Sequence, residues 1–303
     1  MLQSKKKCNA QSLFRLQKIP TDNHIRTNLA RLLFSSFLPF FYHLFSKVEK
    51  TGYLESYRVL KDQFLIAMDG VEYFSSETIH CKNCSVKNHR NGTTTYSHTT
   101  VAVILLHPEK EAIFPLQPEP VFPQDGHLKQ DCEIEASKRW LEKYGSTYSS
   151  YGVTLLGDDL YSRTPFIQEA FKKGFNFILV AQEESHPSLY QGMKDLEELG
   201  ILEKFSTLEF KGKKKIERDY RYVNQIALYE GITTEITEVN CFEMEEKING
   251  KRTYKGGFVT NHWISKKNVE EMGKAGRGRW KIENENNNTL KTQGYHLEHN
   301  FGH

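Results

Sequence analysis

The chain has 303 residues, of which 38% are hydrophobic and 26% charged, with a formal net charge of +3. This composition excludes a disordered or low-complexity chain, and the length allows one large domain or two small ones. So small a net charge excludes an argument for nucleic-acid binding from bulk charge, and any such surface must come from local clusters of Lys and Arg.

Five cysteines, Cys8, Cys81, Cys84, Cys132 and Cys241, are odd in number and mostly scattered. They do not form a disulfide framework, and they point to a reducing compartment. Met1 to Lys7 is polar and basic with no apolar core behind it, so no secretory signal is expected.

In chain order, residues 1 to about 60 read as a helical N-terminal region. Thr21-Asp22-Asn23 offers a cap, and Ile25, Leu29, Leu32 and Leu33 recur at helical spacing. Such a region binds DNA or simply packs. The most apolar run, Leu32 to Phe45, is too short to cross a bilayer and contains Pro39 and His43. It is expected as a buried or partner-facing helix, with no membrane contact.

Phe64 to Met68 is a continuous apolar run expected as a buried strand that stops in a turn at Asp69-Gly70. Thr99 to Leu106 and Glu111 to Leu116 complete an antiparallel meander. Gln130 to Tyr144 is helical, with Cys132, Ala136, Trp140 and Leu141 on one face. Asp125, Asp131 and Glu133 read as its cap and first-turn acids.

Gly152 to Leu156 is a strand ending at Gly157-Asp158-Asp159, Thr164 to Lys173 a helix, and Phe175 to Ala181 a buried strand. This alternation is an α/β mixed sheet flanked by helices. Two strands deliver an Asp near their C-terminal ends, where ligands of open sheets bind.

From about Thr207 to Trp263 the texture changes to alternating segments such as Tyr220-Arg221-Tyr222-Val223 and Ile232 to Val239. Turn signals stand at Asn249-Gly250 and Gly256-Gly257, so further β structure is expected. Helical pattern returns at Asn268 and runs, with a break near Gly276, to Lys291.

Asp69, Asp158 and Glu283 lie on three separate elements. Two-metal phosphoryl transfer needs acids converging in this way, because hard Mg²⁺ prefers carboxylate oxygen and water. Spacing alone does not bring them together, and a strand-end Asp is more often a cap or turn former. Asp159 and Glu285 compete for the second and third positions.

Four blocks carry a resemblance. Ala67 to Ser76 resembles the first-aspartate motif of bacterial insertion-sequence transposases, and Leu156 to Ser162 resembles their second. Arg279 to Glu285, with Thr289-Leu290-Lys291 and Gly294 to His303, resembles their glutamate helix. Pro123 to Gly126 with Lys129 to Glu133 resembles a further block of the same group. The resemblance runs from about Gln11 to the last residue.

It implies a ribonuclease H-like core over residues 61–303, interrupted by a β-rich insertion at about 182–262. It also implies that Asp69, Asp158 and Glu283 bind two Mg²⁺ or Mn²⁺ ions. These would cleave double-stranded DNA at an element's terminal inverted repeats and join the 3′-hydroxyl to target DNA. A homodimer in the bacterial cytoplasm, at the nucleoid, follows from the same resemblance.

Within the motifs, Asp158 directly follows the strand and a small residue, and the Trp-x-Ile-Glu context selects Glu283. Arg279 and Lys291 then fall at or beside phosphate-binding positions, Lys291 one residue late. Gly276 stands where such transposases have a tyrosine, and Asn287 where they have an aromatic. They also continue with apolar helices past the glutamate helix. These departures imply a second reading, a catalytically inactive, truncated DNA-binding remnant. A ribonuclease H-like nuclease acting on RNA–DNA hybrids or junctions is a third, against which the β insertion and the glutamate helix argue.

Cys81-x-x-Cys84, followed by His89 and His98, has the donor types of a tetrahedral structural zinc site. A loop of reduced thiols and polar histidines is the alternative. Lys211, Lys213, Lys214, Lys215, Arg218 and Arg221 cluster inside the insertion, and Arg277, Arg279 and Lys281 beside the glutamate. Both clusters read as salt-dependent phosphate contacts or as solvated faces. His107, His127 and His186 read as ordinary polar histidines.

Overall fold

The computed structural model of the chain describes residues 20–29, 31–123, 132–228 and 237–298. Asp125, His127, Asp131, the first part of the expected strand Ile232 to Val239 and the last part of the C-terminal block therefore lie outside the described residues.

Two compact units, residues 1–44 and 45–303, divide the chain. The first holds α1 (Asp22–Leu29) and the start of α2 (Leu38–Lys50). Thr21 caps α1, its Oγ1 accepting from the His24 N–H at 3.3 Å. No residue of α1 is buried. The apolar run contains a 3₁₀ turn (Phe34–Ser36) and then α2. Its side chains at Leu32, Leu33, Phe34, Phe37, Phe40, Tyr42 and Leu44 are exposed, and only Phe45 at its end is buried. Among the described residues no single helix is long and apolar enough to cross a membrane. Asp22–Leu29 and Phe34–Lys50 meet that test only as a pair, bent by 91°.

The second unit is α/β. A short 3₁₀ helix (Tyr53–Tyr57) buries Leu54 and Tyr57, so the core already includes residues before 61. The chain then makes β1 (Phe64–Ser76), β2 (Ser85–Asn88), β3 (Thr94–Leu106), β4 (Phe114–Pro115) and β5 (Glu119–Val121). Next come α3 (Glu133–Ser149), β6 (Val153–Gly157), α4 (Thr164–Lys172) and β7 (Asn176–Val180). The insertion opens with α5 (Pro187–Glu198) and continues through β8 (Glu203–Lys211), β9 (Lys214–Leu228), β10 (Thr237–Ile248) and β11 (Lys251–Thr260).

All described strands form one mixed sheet, in the order β2-β3-β1-β6-β7-β11-β10-β9-β8, with β4 and β5 pairing to β3. β1 runs antiparallel to β3 and parallel to β6, which runs parallel to β7. The insertion is no separate lobe, because β11 pairs antiparallel with β7 and carries the sheet onward.

Both faces of the central strands are covered. Phe64, Ile66 and Met68 pack with Trp140 and Leu141 of α3, Phe166 of α4 and Met193 of α5. Leu65 and Ala67 pack on the other face with Phe258, Met272, Ala275 and Ile282. A strand buried on both faces has no polar positions to alternate, which is why Phe64 to Met68 is continuously apolar.

The strand does not stop at Asp69-Gly70, as the end of the apolar run suggested. It continues to Ser76, with Asp69 opposite Ala102 and Gly70 opposite Val101. What ends at Met68 is the unbroken run of burial, with Val71 buried again beyond it, and not the extended backbone.

The C-terminal helical stretch runs from α6 (Val269–Arg277) through a 3₁₀ turn (Gly278–Trp280) and a π-helical turn (Ile282–Asn287) to α7 (Asn288–Thr292). The α-helix ends at Arg277, one residue past Gly276, so the expected break near Gly276 is a change from α-helix to 3₁₀ turn. A Cβ on Gly276 would lie 2.7 Å from Phe258 and 3.0 Å from Ile178, so the glycine lets α6 lie close against the sheet.

Candidate active site

Register brings the two aspartates together. Ala67 pairs with Leu156 across the parallel β1–β6 ladder, so Asp69 on β1 and Asp158, just past the end of β6, each follow that pair by two residues. The π-helical turn brings Glu283 and Asn287 to the same place. Asn287 donates from Nδ2 to Asp69 Oδ2 at 3.2 Å. Single π-helical turns inside α-helical stretches recur at functional sites.

A fourth carboxylate joins them from the opposite face of the sheet. Glu133, in the first turn of α3, reaches over Gly70 and accepts a hydrogen bond from the Gly70 N–H. A Cβ on Gly70 would meet the carboxylate itself, so the missing side chain is what makes room for it. Tyr161 donates to Glu133 Oε1 at 2.7 Å, and Ser137 donates to the Tyr161 hydroxyl at 3.1 Å.

The reading of Glu133 as a helix first-turn acid is right about its position and misses its destination. The only signal in the sequence was its place beside Cys132 in the fourth block of the resemblance. Without the fold, nothing told it apart from Glu135 in the same turn.

The electrostatics of Asp69 summarise the cluster. Burial, then the charge of Glu133, then those of Glu283 and Asp158, push its pKa from 3.8 up to about 7, with Arg279 pulling the other way. Glu133 is raised as well, by burial first and partly by Asp158, against the hydrogen bonds from Tyr161 and Gly70. A buried carboxylate with other carboxylates beside it is stabilised in its charged form by any positive charge that joins them. The donors are all carboxylate oxygens, which fits a hard divalent cation such as Mg²⁺ or Mn²⁺ and not a soft one.

The charges of Glu133, Glu283 and Asp158 all act on Asp69, but the acids do not form a tight shell of ligand atoms. Among the described residues only Cys81, Cys84 and His98 bring three ligand atoms within 4.8 Å of one another.

The competitors separate. Asp159 accepts from the Gln182 N–H at 2.6 Å and lies 3.6 Å from His186 Nε2, so it ties the β6 and β7 loops together. Asp158 Oδ1 accepts from the Leu160 N–H at 2.9 Å, and its charge is the one felt by Asp69 and Glu133. Of Glu283 and Glu285, Glu283 is the one whose charge raises the Asp69 pKa among its main causes. His186 is buried and bonded to Ser162 at 2.7 Å, more than an ordinary surface histidine.

Arg279 Nη1 lies 2.7 Å from Glu283 Oε1, an ion pair spanning one helical turn. A cavity of about 400 Å³, lined by Val180, Gln182, Tyr254, Lys255 and Gly257, reaches Arg279. Exposed Trp280 stands beside Arg279 and Tyr254.

The other cations sort differently. Lys281 is buried and donates to the Lys110 carbonyl at 2.8 Å, and Arg277 pairs with Glu246 at 3.1 Å, so neither is a free phosphate contact. Lys291 pairs with Glu298 beyond the π-helical turn. Lys213, Lys214 and Lys215 sit at the tip of the β8–β9 hairpin, on the outer edge of the sheet and several strands from Asp69. Arg218 and Arg221 of the same cluster are held by Glu209 and Glu246, and by Glu197 and Glu243.

The chain matches no protein-family model and no curated protein. Its functional reading therefore rests on the site itself and on the sequence blocks that build it.

Proposed function

We propose that this chain is a metal-dependent phosphoryl-transfer enzyme of the three-carboxylate transposase type, acting on double-stranded DNA. The observation that carries the proposal is the convergence of Asp69, Asp158, Glu283 and Glu133 from four elements. Burial first, and then the charges of Glu133, Glu283 and Asp158, hold Asp69 near a pKa of 7. The strand order β5-β3-β1-β6-β7, antiparallel across the first three and parallel across the last three, supports a ribonuclease H-like core.

Asp69, Asp158 and Glu283 would hold two Mg²⁺ or Mn²⁺ ions, with Glu133 beside them. When bound, such ions lower the pKa of an attacking hydroxyl and offset charge on the leaving oxygen. The protein's own residues do the rest. Tyr161 and the Gly70 N–H keep the Glu133 carboxylate aimed at Asp69. Asn287 fixes the orientation of Asp69 by donating to one oxygen. Arg279, which lines the cavity and pairs with Glu283, would take a phosphate oxygen of the DNA when metal draws Glu283 away.

Cleavage of the native element's end DNA with Mg²⁺ or Mn²⁺ tests the proposal, comparing the chain with Asp69→Ala and Glu283→Ala. Cleavage lost in both variants is expected. The Arg279–Glu283 ion pair favours a second reading, an inactive DNA-binding remnant, since it occupies one of the three carboxylates. DNA bound without metal-dependent cleavage by the unmodified chain would select that reading.

A further inference from the structure

A second, chemically different site lies at the far end of the strand that carries Asp69. β1 ends at Ser76, and residues 77–84 form a loop that returns as β2 along the other edge of β3. His98 of β3 pairs with Phe74 of β1, and the neighbouring Ser97 pairs with Ser85, next to Cys84. The middle strand thus offers an imidazole to a loop carrying two thiols. Both Cys81 and Cys84 are free.

The spacing of the three donors decides what they suit. Metal bonds of about 2.3 Å to sulfur and about 2.0 Å to nitrogen, at tetrahedral angles, separate two sulfurs by about 3.8 Å and sulfur from nitrogen by about 3.5 Å. Cys81 Sγ and Cys84 Sγ are 3.8 Å apart, and each lies 3.4 Å from His98 Nε2. Two backbone amides donate to the sulfurs, Cys81 N–H to Cys84 Sγ at 3.3 Å and Asn83 N–H to Cys81 Sγ at 3.4 Å.

Otherwise the loop is held by the Thr78 and Ile79 N–H groups donating to Ser76 Oγ and by His80 stacked on Tyr96. Glu77, Thr78, His80, Cys81, Lys82 and Asn83 are exposed, and Cys84 is its one buried residue. His89 takes no part, because its Nε2 is bonded to Thr95 Oγ1 at 2.7 Å in the β2–β3 hairpin.

We propose that Cys81, Cys84 and His98 bind one zinc ion that clamps the β1–β2 loop onto β3, with solvent as the fourth ligand. Two thiolates and an imidazole in tetrahedral array suit Zn²⁺, whereas the all-carboxylate cluster at Asp69 suits a hard cation. The zinc site would hold the outer end of the β1–β3 ladder, beyond its bulge between Glu72 and Phe74.

The test uses the full chain, purified under reducing conditions without chelator. Elemental mass spectrometry is expected to find about one zinc per chain. Reconstitution with Co²⁺ should give the thiolate charge-transfer and ligand-field bands of a tetrahedral site, a readout that needs no variant to fold. Cys81→Ser, Cys84→Ser and His98→Ala should each bind zinc more than about 100-fold more weakly, and His89→Asn as the parent does. An octahedral cobalt spectrum with no retained zinc would overturn the proposal. Zinc kept by all three ligand variants would do the same, and loss of zinc in His89→Asn would overturn the three-residue assignment. None of these results depends on DNA cleavage.

Discussion

Asp69 carries its proton to unusually high pH because it shares a half-buried space with three other acids. In the metal-free chain this sets a sign. Between 3.8 and about 7 the folded state holds a proton that the unfolded state has released, so stability falls as pH rises through that window. The raised Glu133 acts in the same direction. Asp69→Asn should flatten most of this fall, and so should added Mg²⁺. Urea midpoints across that pH range would show it, and a parent whose stability is level there would contradict the crowding.

Glu133 makes a separate prediction. Glu133→Gln keeps its size and its hydrogen bond from the Gly70 N–H but removes a charge from the site. Metal-dependent cleavage should fall by about 10- to 100-fold, with the midpoint for Mg²⁺ moving to higher concentration. A change in stability alone would reduce Glu133 to a packing residue.

At the scale of elements, the insertion is held by charge pairs as much as by apolar contact. Arg218 on β9 is buried between Glu209 on β8 and Glu246 on β10, and Glu246 also takes Arg277 of α6. Removing one partner from such a buried set leaves the other charge unmatched. Arg218→Ala is expected to cost about 3 kcal/mol, read from denaturant unfolding. A loss below about 1 kcal/mol would mean that water reaches the pair and screens it.

For the whole molecule, the acid cluster and the lysine hairpin lie at different places on one sheet. Acids centre on β1 and β6, whereas Lys213, Lys214 and Lys215 turn between β8 and β9 at its edge. A duplex touching both would extend along the sheet. Replacing the three lysines with alanine should then lower the slope of log affinity against log salt by about 2 to 3, while metal-dependent cleavage chemistry persists at low salt. An unchanged slope would make the hairpin a solvated tip, as its Lys215–Glu217 pair at 2.6 Å would suggest.

Much of the second unit was legible in the sequence. Its central strands are buried on both faces, so they read as unbroken apolar runs, and α3 and α4 read by their apolar faces. The sequence also presented the residue types of both sites, Asp69, Asp158, Glu283 and Arg279 in one and Cys81, Cys84 and His98 in the other.

Only the tertiary structure decided which of them meet. β1 continues past Asp69 because backbone pairing with β3 continues where the unbroken run of side-chain burial ends, a distinction no hydropathy pattern carries. Glu133 enters the site through the gap left by Gly70, and His98 displaces His89 because strand register, not chain distance, sets which imidazole faces the thiols. Local sequence determines how each segment buries itself. Which side chains share a site depends on pairing between strands far apart in the chain, and that is settled only when the whole sheet assembles.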